Sequence, residues 1–335
     1  MRLPRRHSLI WFWLTSGVAA ALLAQPLPRG WIDRYGGNEN DLDSSLVRTE
    51  GSGVIDEDVV KTAREVVSHS IDPRTGQVIG TPTWTNPRGF EKDVFTFARA
   101  IFKVGPNLAP GYGQGKRLGW WVDFPDADLN LSYRLQQMTS IRADPDGRVL
   151  KLNSPDLHNY PFLLMEHPGY MRLRPDEVTG LRKYLEAGGV LAVIDFWNTR
   201  EWNGFAEEMR KVLPNRQWTE LGMDHPIFHC VFDLKGPMQH LQVPTMQFWN
   251  QNHNPDDPNS YVHRRPAFDR GEGSERMSVR ALHDDKGHMM VIAFHNTDIT
   301  DGWEREGEYQ DYFEVFSERV SYPLGMNLIF YLMTH

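Results

Sequence analysis

The stretch Pro175 to Trp197, Pro-Asp-Glu-Val-Thr-Gly-Leu-Arg-Lys-Tyr-Leu-Glu-Ala-Gly-Gly-Val-Leu-Ala-Val-Ile-Asp-Phe-Trp, constrains the fold more than any other. Val178, Leu181, Tyr184 and Leu185 recur at three and four residues, so a helix would set them on one face. Pro175 suits a first helical position, where its missing N–H costs nothing, and Asp176 and Glu177 complement the positive N-terminal end. Gly188 and Gly189 end the helix, since glycine takes the left-handed backbone that helix C-termini often need. Val190 to Ile194 is then uninterruptedly apolar, as a strand covered on both faces must be. Its carboxyl end turns polar and aromatic at Asp195, Phe196, Trp197 and Asn198. In an open parallel sheet that end is where ligands bind.

The remaining chain extends the alternation. Val94 to Phe102 and Phe162 to Met165 read as strands, the second ending at Glu166-His167. A helix is expected from Asp126, as N-cap, to Thr139, with Leu131, Leu135 and Met138 as its apolar stripe, and another from Glu201 to Val212. Gln217 to Leu221 reads as a further strand. Met277–Leu282 and Met289–Phe294 flank the turn Asp284 to Gly287 and read as a hairpin, and helices from Tyr309 and from Leu324 close the chain. Before this lie a helix over Asp56 to Ser70 and a glycine-rich loop, Gly105 to Gly119, without the Gly-Lys-Ser/Thr ending of a phosphate loop; Pro244 to Gly273 reads as a long polar loop. Alternating strands and helices imply a doubly wound, mostly parallel α/β sheet. Right-handed crossovers would bring Glu166-His167, Asp195–Trp197 and His295-Asn296 to one edge.

Arg2, Arg5 and Arg6 followed by the apolar run Leu9 to Ala24 form a signal-peptide pattern or an N-terminal anchor. The expected organisation is therefore residues 1–24 as this segment, 25–92 as linker and helix, and 93–335 as one α/β domain. Loss of the three arginines in the first 24 residues, which hold no acid, takes the net charge from −8 to −11. Such a charge excludes nucleic acid and anionic membrane surfaces as partners, leaving membrane contact only through the N-terminal segment if uncleaved. The single cysteine, Cys230, rules out an internal disulfide and a cysteine-based zinc cluster, and its apolar neighbours predict a buried, inert thiol.

Four clusters carry possible chemistry. Asp123, Asp126 and Asp128 stand at a loop-to-helix junction and suit a cation, acid–base work or helix capping. His225 and His229 are metal candidates four residues apart, though Pro226 opposes the helix that would align them, and the acid of a His-Glu-x-x-His site is missing. His295, Asn296, Asp298, Asp301 and Glu304 follow an apolar strand; ligand contacts and Asx-turn capping both fit them. Asp195 with Trp197 and Glu201 faces either a ligand or a structural partner. There is no Gly-x-Ser-x-Gly nucleophile elbow.

The motifs Trp121-Val-Asp-Phe-Pro-Asp-Ala-Asp-Leu-Asn-Leu-Ser-Tyr-Arg-Leu-Gln-Gln, Tyr160-Pro-Phe, Leu181-Arg-Lys-Tyr-Leu-Glu-Ala-Gly-Gly, Asp195-Phe-Trp, His225-Pro-Ile-Phe, His295-Asn-Thr-Asp-Ile-x-Asp-Gly-Trp-Glu and Tyr322-Pro-Leu-Gly-Met-Asn-Leu-Ile-Phe-Tyr-Leu-Met-Thr-His335 occur in this order. Over residues 93 to 335 the chain resembles the bacterial domain-of-unknown-function 4159 family. The resemblance implies a class I glutamine-amidotransferase-like, flavodoxin-like three-layer fold, but no activity. Without the nucleophile elbow, amidotransferase activity does not carry over.

The expectation is thus an exported periplasmic or envelope protein that binds a polar ligand, a glycan or a protein partner, at the strand carboxyl ends. Trp197 would be an apolar wall, and Asp195, His295, Asn296 and Asp298 the hydrogen-bonding groups. One alternative is a metal-dependent hydrolase, a divalent ion being the possible cofactor, held by Asp123, Asp126, His225, His229, His295 or Asp298. The other is an envelope scaffold without a pocket.

Overall fold

The structure is a computed structural model and describes residues 82–89, 94–104, 120, 122–245, 272–304 and 310–335, with the backbone of two short strands at 70–71 and 78–79. The expected helix over Asp56 to Ser70 lies outside the described residues except for Ser70, which stands in a short strand instead; the glycine-rich loop, most of Pro244 to Gly273 and the N-terminal segment also lie outside them.

Seven strands of one sheet carry the described fold: β1 (Ala98–Ile101), β2 (Arg148–Lys151), β3 (Phe162–Glu166), β4 (Val190–Phe196), β5 (Thr219–Glu220), β6 (Ser278–His283) and β7 (Met289–His295). Their order is β2-β1-β3-β4-β7-β6-β5. The first five are mutually parallel, and β6 and β5 add antiparallel to the β7 edge. The parallel part therefore has the doubly wound 2-1-3-4-5 order of flavodoxin-like sheets, whose order reverses between β1 and β3.

Helix α1 (Asp126–Met138) crosses from β1 to β2, α2 (Pro175–Glu186) from β3 to β4, and α3 (Asn198–Val212) leaves β4. After β7 come the short helices α4 (Asp301–Glu304) and α5 (Gln310–Tyr312). A π-helical stretch at Phe313–Ser321 then runs into α6 (Tyr322–Thr334). Two apolar cores result. One lies between the sheet and α1, α4 and α6, with Phe97, Leu131, Leu164, Phe294, Trp303 and Leu324. The other lies between the sheet and α2 and α3, with Leu163, Leu181, Tyr184, Val193, Phe205 and Met209. Among the described residues no helix is long and apolar enough to cross a membrane.

The organising stretch folds as its pattern dictates. Helix α2 begins at Pro175 and is closed by Gly188 at φ 100°. Gly189 N–H donates to Tyr184 O (3.0 Å) and Gly188 N–H to Leu185 O (3.2 Å), the paired bonds of a Schellman cap. A side chain at Gly189 would collide with the Tyr184 ring at 2.2 Å, so glycine is required there for packing as well.

Three expectations need correction. Helix α1 starts with Asp126 as its first helical residue: Pro125 holds the cap position and no side chain caps it. Helix α3 starts at Asn198 rather than Glu201, because Asn198 Oδ1 accepts from the N–H groups of Arg200 (2.8 Å) and Glu201 (3.0 Å). Cys230 is exposed rather than buried, its thiol donating to Asn327 O at 3.2 Å.

Candidate functional site

The parallel strands deliver Glu166-His167, Asp195–Trp197 and His295-Asn296 to one edge. His167 N–H donates to Ile194 O (3.1 Å) and Asn296 N–H to Phe196 O (2.9 Å), so the three strand ends are stitched in register. Among the described residues five non-glycine residues take a left-handed backbone: Asp123, His167, Asp195, Asn198 and Asn296. All stand at or just beyond strand carboxyl ends or at the entry to a helix on that edge. Left-handed non-glycine residues carry strain and cluster at functional sites.

Asp195 is the extra residue of a β-bulge. Ala293 pairs with Val193, but His295 pairs with Phe196, so β4 spends three residues where β7 spends two. The bulge turns Phe196 into the α2/α3 core. The groups around it bond inward. Trp197 is 0 % exposed, its indole N–H donating to Asp195 Oδ1 and its backbone N–H to Glu201 Oε2, both at 2.7 Å. Asn296 Oδ1 accepts from Asn198 N–H (2.8 Å), while its amide donates to Gly273 O (2.8 Å) and Arg276 O (2.7 Å). Asn296 thereby ties β7, α3 and the 272–277 segment together.

The α1 side of the same edge is different in charge. Arg99, wholly buried in β1, reaches Asp128 of α1 through Nε (3.1 Å) and Nη2, and lies 2.9 Å from Glu166 Oε1 at the end of β3. Its Nη1 also donates to the carbonyls of Trp120 (3.2 Å) and Val122 (3.0 Å), and its guanidinium lies 5.7 Å from the Phe124 ring centroid. One cation thus spans the β1/β3 reversal and holds the loop that carries Asp123. Burial acts to lower the Arg99 pKa, but the Asp128 and Glu166 charges outweigh it and the net shift is upward.

Glu166 is pushed well above the usual carboxyl range. Burial is the main cause, Arg99 opposes it, and the negative charges of Asp123 and Asp128 add to it. Its Oε2 has no hydrogen-bond partner among the described residues. Asp123, Asp298 and Asp301 converge beside this network, each offering a carboxylate oxygen within 4.8 Å of the others. Oxygens on opposite sides of a cation with 2.0–2.6 Å bonds lie about 4–5 Å apart, so this spacing suits magnesium, manganese or calcium. Asp298 Oδ1 also accepts from Asp301 N–H (3.1 Å) and Thr300 Oγ1 (3.4 Å), capping the short helix α4, which Glu304 ends.

The other sequence candidates fall elsewhere. Asp126 opens α1 outside the carboxylate trio. His225 and His229 bracket a 3-10 turn at Pro226–Phe228. His225 Nδ1 accepts from Ile227 N–H (3.3 Å), and the His229 ring is engaged by Asp233 (2.7 Å) and Met223 O (2.5 Å). His295 faces the opposite side of the sheet, between Phe196 and Trp202, with ring centroids at 4.9 and 5.3 Å. Burial lowers its pKa to about 4, and Nε2–H donates to Asn198 O at 3.0 Å. Sequence reasoning missed Arg99. Its signal is a lone arginine inside an otherwise apolar strand, which must bury its charge against acids.

With this geometry in place, the family comparison is decisive. A domain of unknown function, DUF4159, matches residues 112–333. The chain belongs to the DUF4159 family. The match takes in Asp123, Glu166, Asp298 and Asp301, so the carboxylate site lies wholly within the DUF4159 domain; Arg99, on the preceding strand, lies outside the matched span. No curated protein matches the chain.

Proposed function

We propose that this DUF4159 protein is a metal-dependent hydrolase of a polar substrate, with a divalent cation held by Asp123, Asp298 and Asp301 at the carboxyl edge of the sheet. The convergence of these three carboxylates carries the reading, since they come from two loops 175 residues apart in the chain. The buried Glu166 beside them and the left-handed backbone at Asp123 support it. An oxygen-only ligand set favours a hard cation that keeps open positions for water and substrate. The cation would polarise a substrate oxygen and lower the pKa of a bound water, so no side-chain nucleophile is needed.

Titration with manganese, followed by calorimetry and by turnover of phosphoester and acyl-ester panels, tests the proposal. Stoichiometric binding lost in Asp123→Asn and Asp298→Asn, with metal-dependent turnover, is the expected result. Absence of binding would remove the reading. A second reading, cation-assisted binding of a glycan or envelope partner without chemistry, is favoured by one observation: burial holds Glu166 toward its protonated form, where it cannot serve as a base. Binding without turnover would select it.

Two further parts of the reading rest on strand order and on sequence pattern. The β2-β1-β3-β4-β7 order supports kinship with the class I glutamine-amidotransferase-like fold. The missing nucleophile elbow argues against amidotransferase activity. The basic and apolar first 24 residues support export to the periplasm or envelope, and mass spectrometry of the N-terminus of protein recovered from cells tests that directly.

A further inference from the structure

The face of the sheet opposite the carboxylates holds a second polar cluster that the hydrolase reading does not use. Ser278 and His295 are directly paired across β6 and β7, and Arg280 lies two residues along β6 on the same face. Side chains at paired positions have Cβ atoms about 4.5–5.5 Å apart, so these groups share one small region. Three of their polar atoms, Ser278 Oγ, His295 Nδ1 and Arg280 Nη1, are buried and have no hydrogen-bond partner among the described residues. A buried polar atom that nothing meets is destabilising, so three together on one face are a feature to be explained.

Their chemistry is specific. His295 Nε2–H is committed to Asn198 O, which leaves Nδ1 as a lone pair that accepts from a donor. Arg280 offers N–H donors and positive charge. Glu220, opposite it on β5, is exposed; its negative charge acts on Arg280, but burial outweighs it and the net shift of the guanidinium pKa is downward. Ser278 can donate or accept. Around them stand aromatic rings: the Arg280 guanidinium lies 4.0 Å from the Trp202 centroid, and Trp202 lies 5.2 Å from Trp218. Trp202, Trp218 and Arg280 are half-buried, whereas His295 is only 5 % exposed. The cluster therefore has a surface rim of tryptophan and arginine over a floor of histidine and serine. The Arg280 guanidinium lies over the face of Trp202, so a ligand that reached the floor would require it to turn outward.

We propose that Arg280, Ser278, His295 and Trp202 form a second site, for a hydroxylated carboxylate of the sugar-acid class. The carboxylate pairs with Arg280 and Ser278, a hydroxyl donates to His295 Nδ1, and the C–H face of the ligand lies against Trp202. A neutral sugar lacks the anion that Arg280 requires, and a simple carboxylate lacks the hydroxyl that His295 requires. The proposal does not depend on the metal reading, because the two clusters lie on opposite faces of the sheet.

Calorimetric titration of the full chain with D-glucuronate, D-glucose and acetate tests it, together with nitrogen NMR of the His295 ring. The expected result is saturable one-to-one binding of glucuronate, a shift of the Nδ1 resonance on binding, and affinity about tenfold or more lower for glucose and for acetate. Arg280→Gln, a half-exposed position where the fold tolerates change, should weaken glucuronate by a similar factor, and His295→Gln should abolish the Nδ1 signal and weaken binding. Asp298→Asn should leave glucuronate binding unchanged, which separates failure here from failure of the metal site. No binding of glucuronate, equal affinity in Arg280→Gln, or a crystal grown with glucuronate showing only a water between Ser278 and His295 would overturn the proposal.

Discussion

Asp298 and His295 are three residues apart, yet they belong to two opposite kinds of polar burial. On the α1 side of the sheet Arg99 is saturated: two acids and two carbonyls meet its guanidinium, and the carboxylates of Asp123, Asp298 and Asp301 converge beside it. On the α3 side Arg280 lies on an aromatic ring with a buried Nη1 that no described residue meets, and the surplus is hydrogen-bonding capacity. One loop after β7 feeds both. The difference teaches that buried charge is structural where its partners are complete, and a candidate for function where its partners are missing.

The largest expected effect breaks the comparison at its two arginines. Arg99→Leu leaves Asp128 and Glu166 buried without their cation and should cost about 3–5 kcal/mol in urea unfolding. Arg280→Leu removes a cation–π contact and an unmet donor together, and should change stability by no more than about 1 kcal/mol. Equal losses would erase the distinction.

The next effect concerns His295. Its pKa is about 4 in the folded chain and near 6.5 when unfolded, so the unfolded chain binds the extra proton first. Its contribution is complete above pH 6.5 and is lost as pH falls toward 4, amounting to about 3 kcal/mol. His295→Gln should flatten that slope in unfolding measured at successive pH values. An unchanged slope would assign it to other groups.

Smaller still is Asn296→Ala, which removes three inward hydrogen bonds and should cost about 1–3 kcal/mol without altering cation binding. A lost cation response in that variant would make the two halves of the edge one site. The smallest stability change is expected at Asp123. Without a cation, Asp123→Asn relieves like-charge repulsion and should be neutral or stabilising by up to about 1 kcal/mol, as thermal unfolding in the presence of a chelator will register.

The fold was legible because its signals are local and consistent. Pro175, the Gly188-Gly189 pair and the apolar run to Ile194 each name one backbone state, and α2 and β4 obey them. The hairpin of β6 and β7 was legible for the same reason, through Asp284 to Gly287. The site was legible only in part. Asp123, Asp298 and Asp301 stood out as loop carboxylates, but their convergence depends on strand order, which no local pattern encodes. Trp197 looked like a ligand wall and is instead wholly buried, because the bulge at Asp195 turns the strand end over. Arg280 and Ser278 alternate within an ordinary hairpin strand, and only cross-strand register sets Ser278 beside His295.

The central claim is that three carboxylates brought together by the sheet form a cation site. Manganese binding to the wild-type chain and to Asp298→Asn, followed by electron paramagnetic resonance at one metal per protein, tests it most directly. One bound ion in the wild type with oxygen-only coordination, and none in the variant, is the predicted result. An equal free-manganese signal in both, or equal binding in both, would contradict the account.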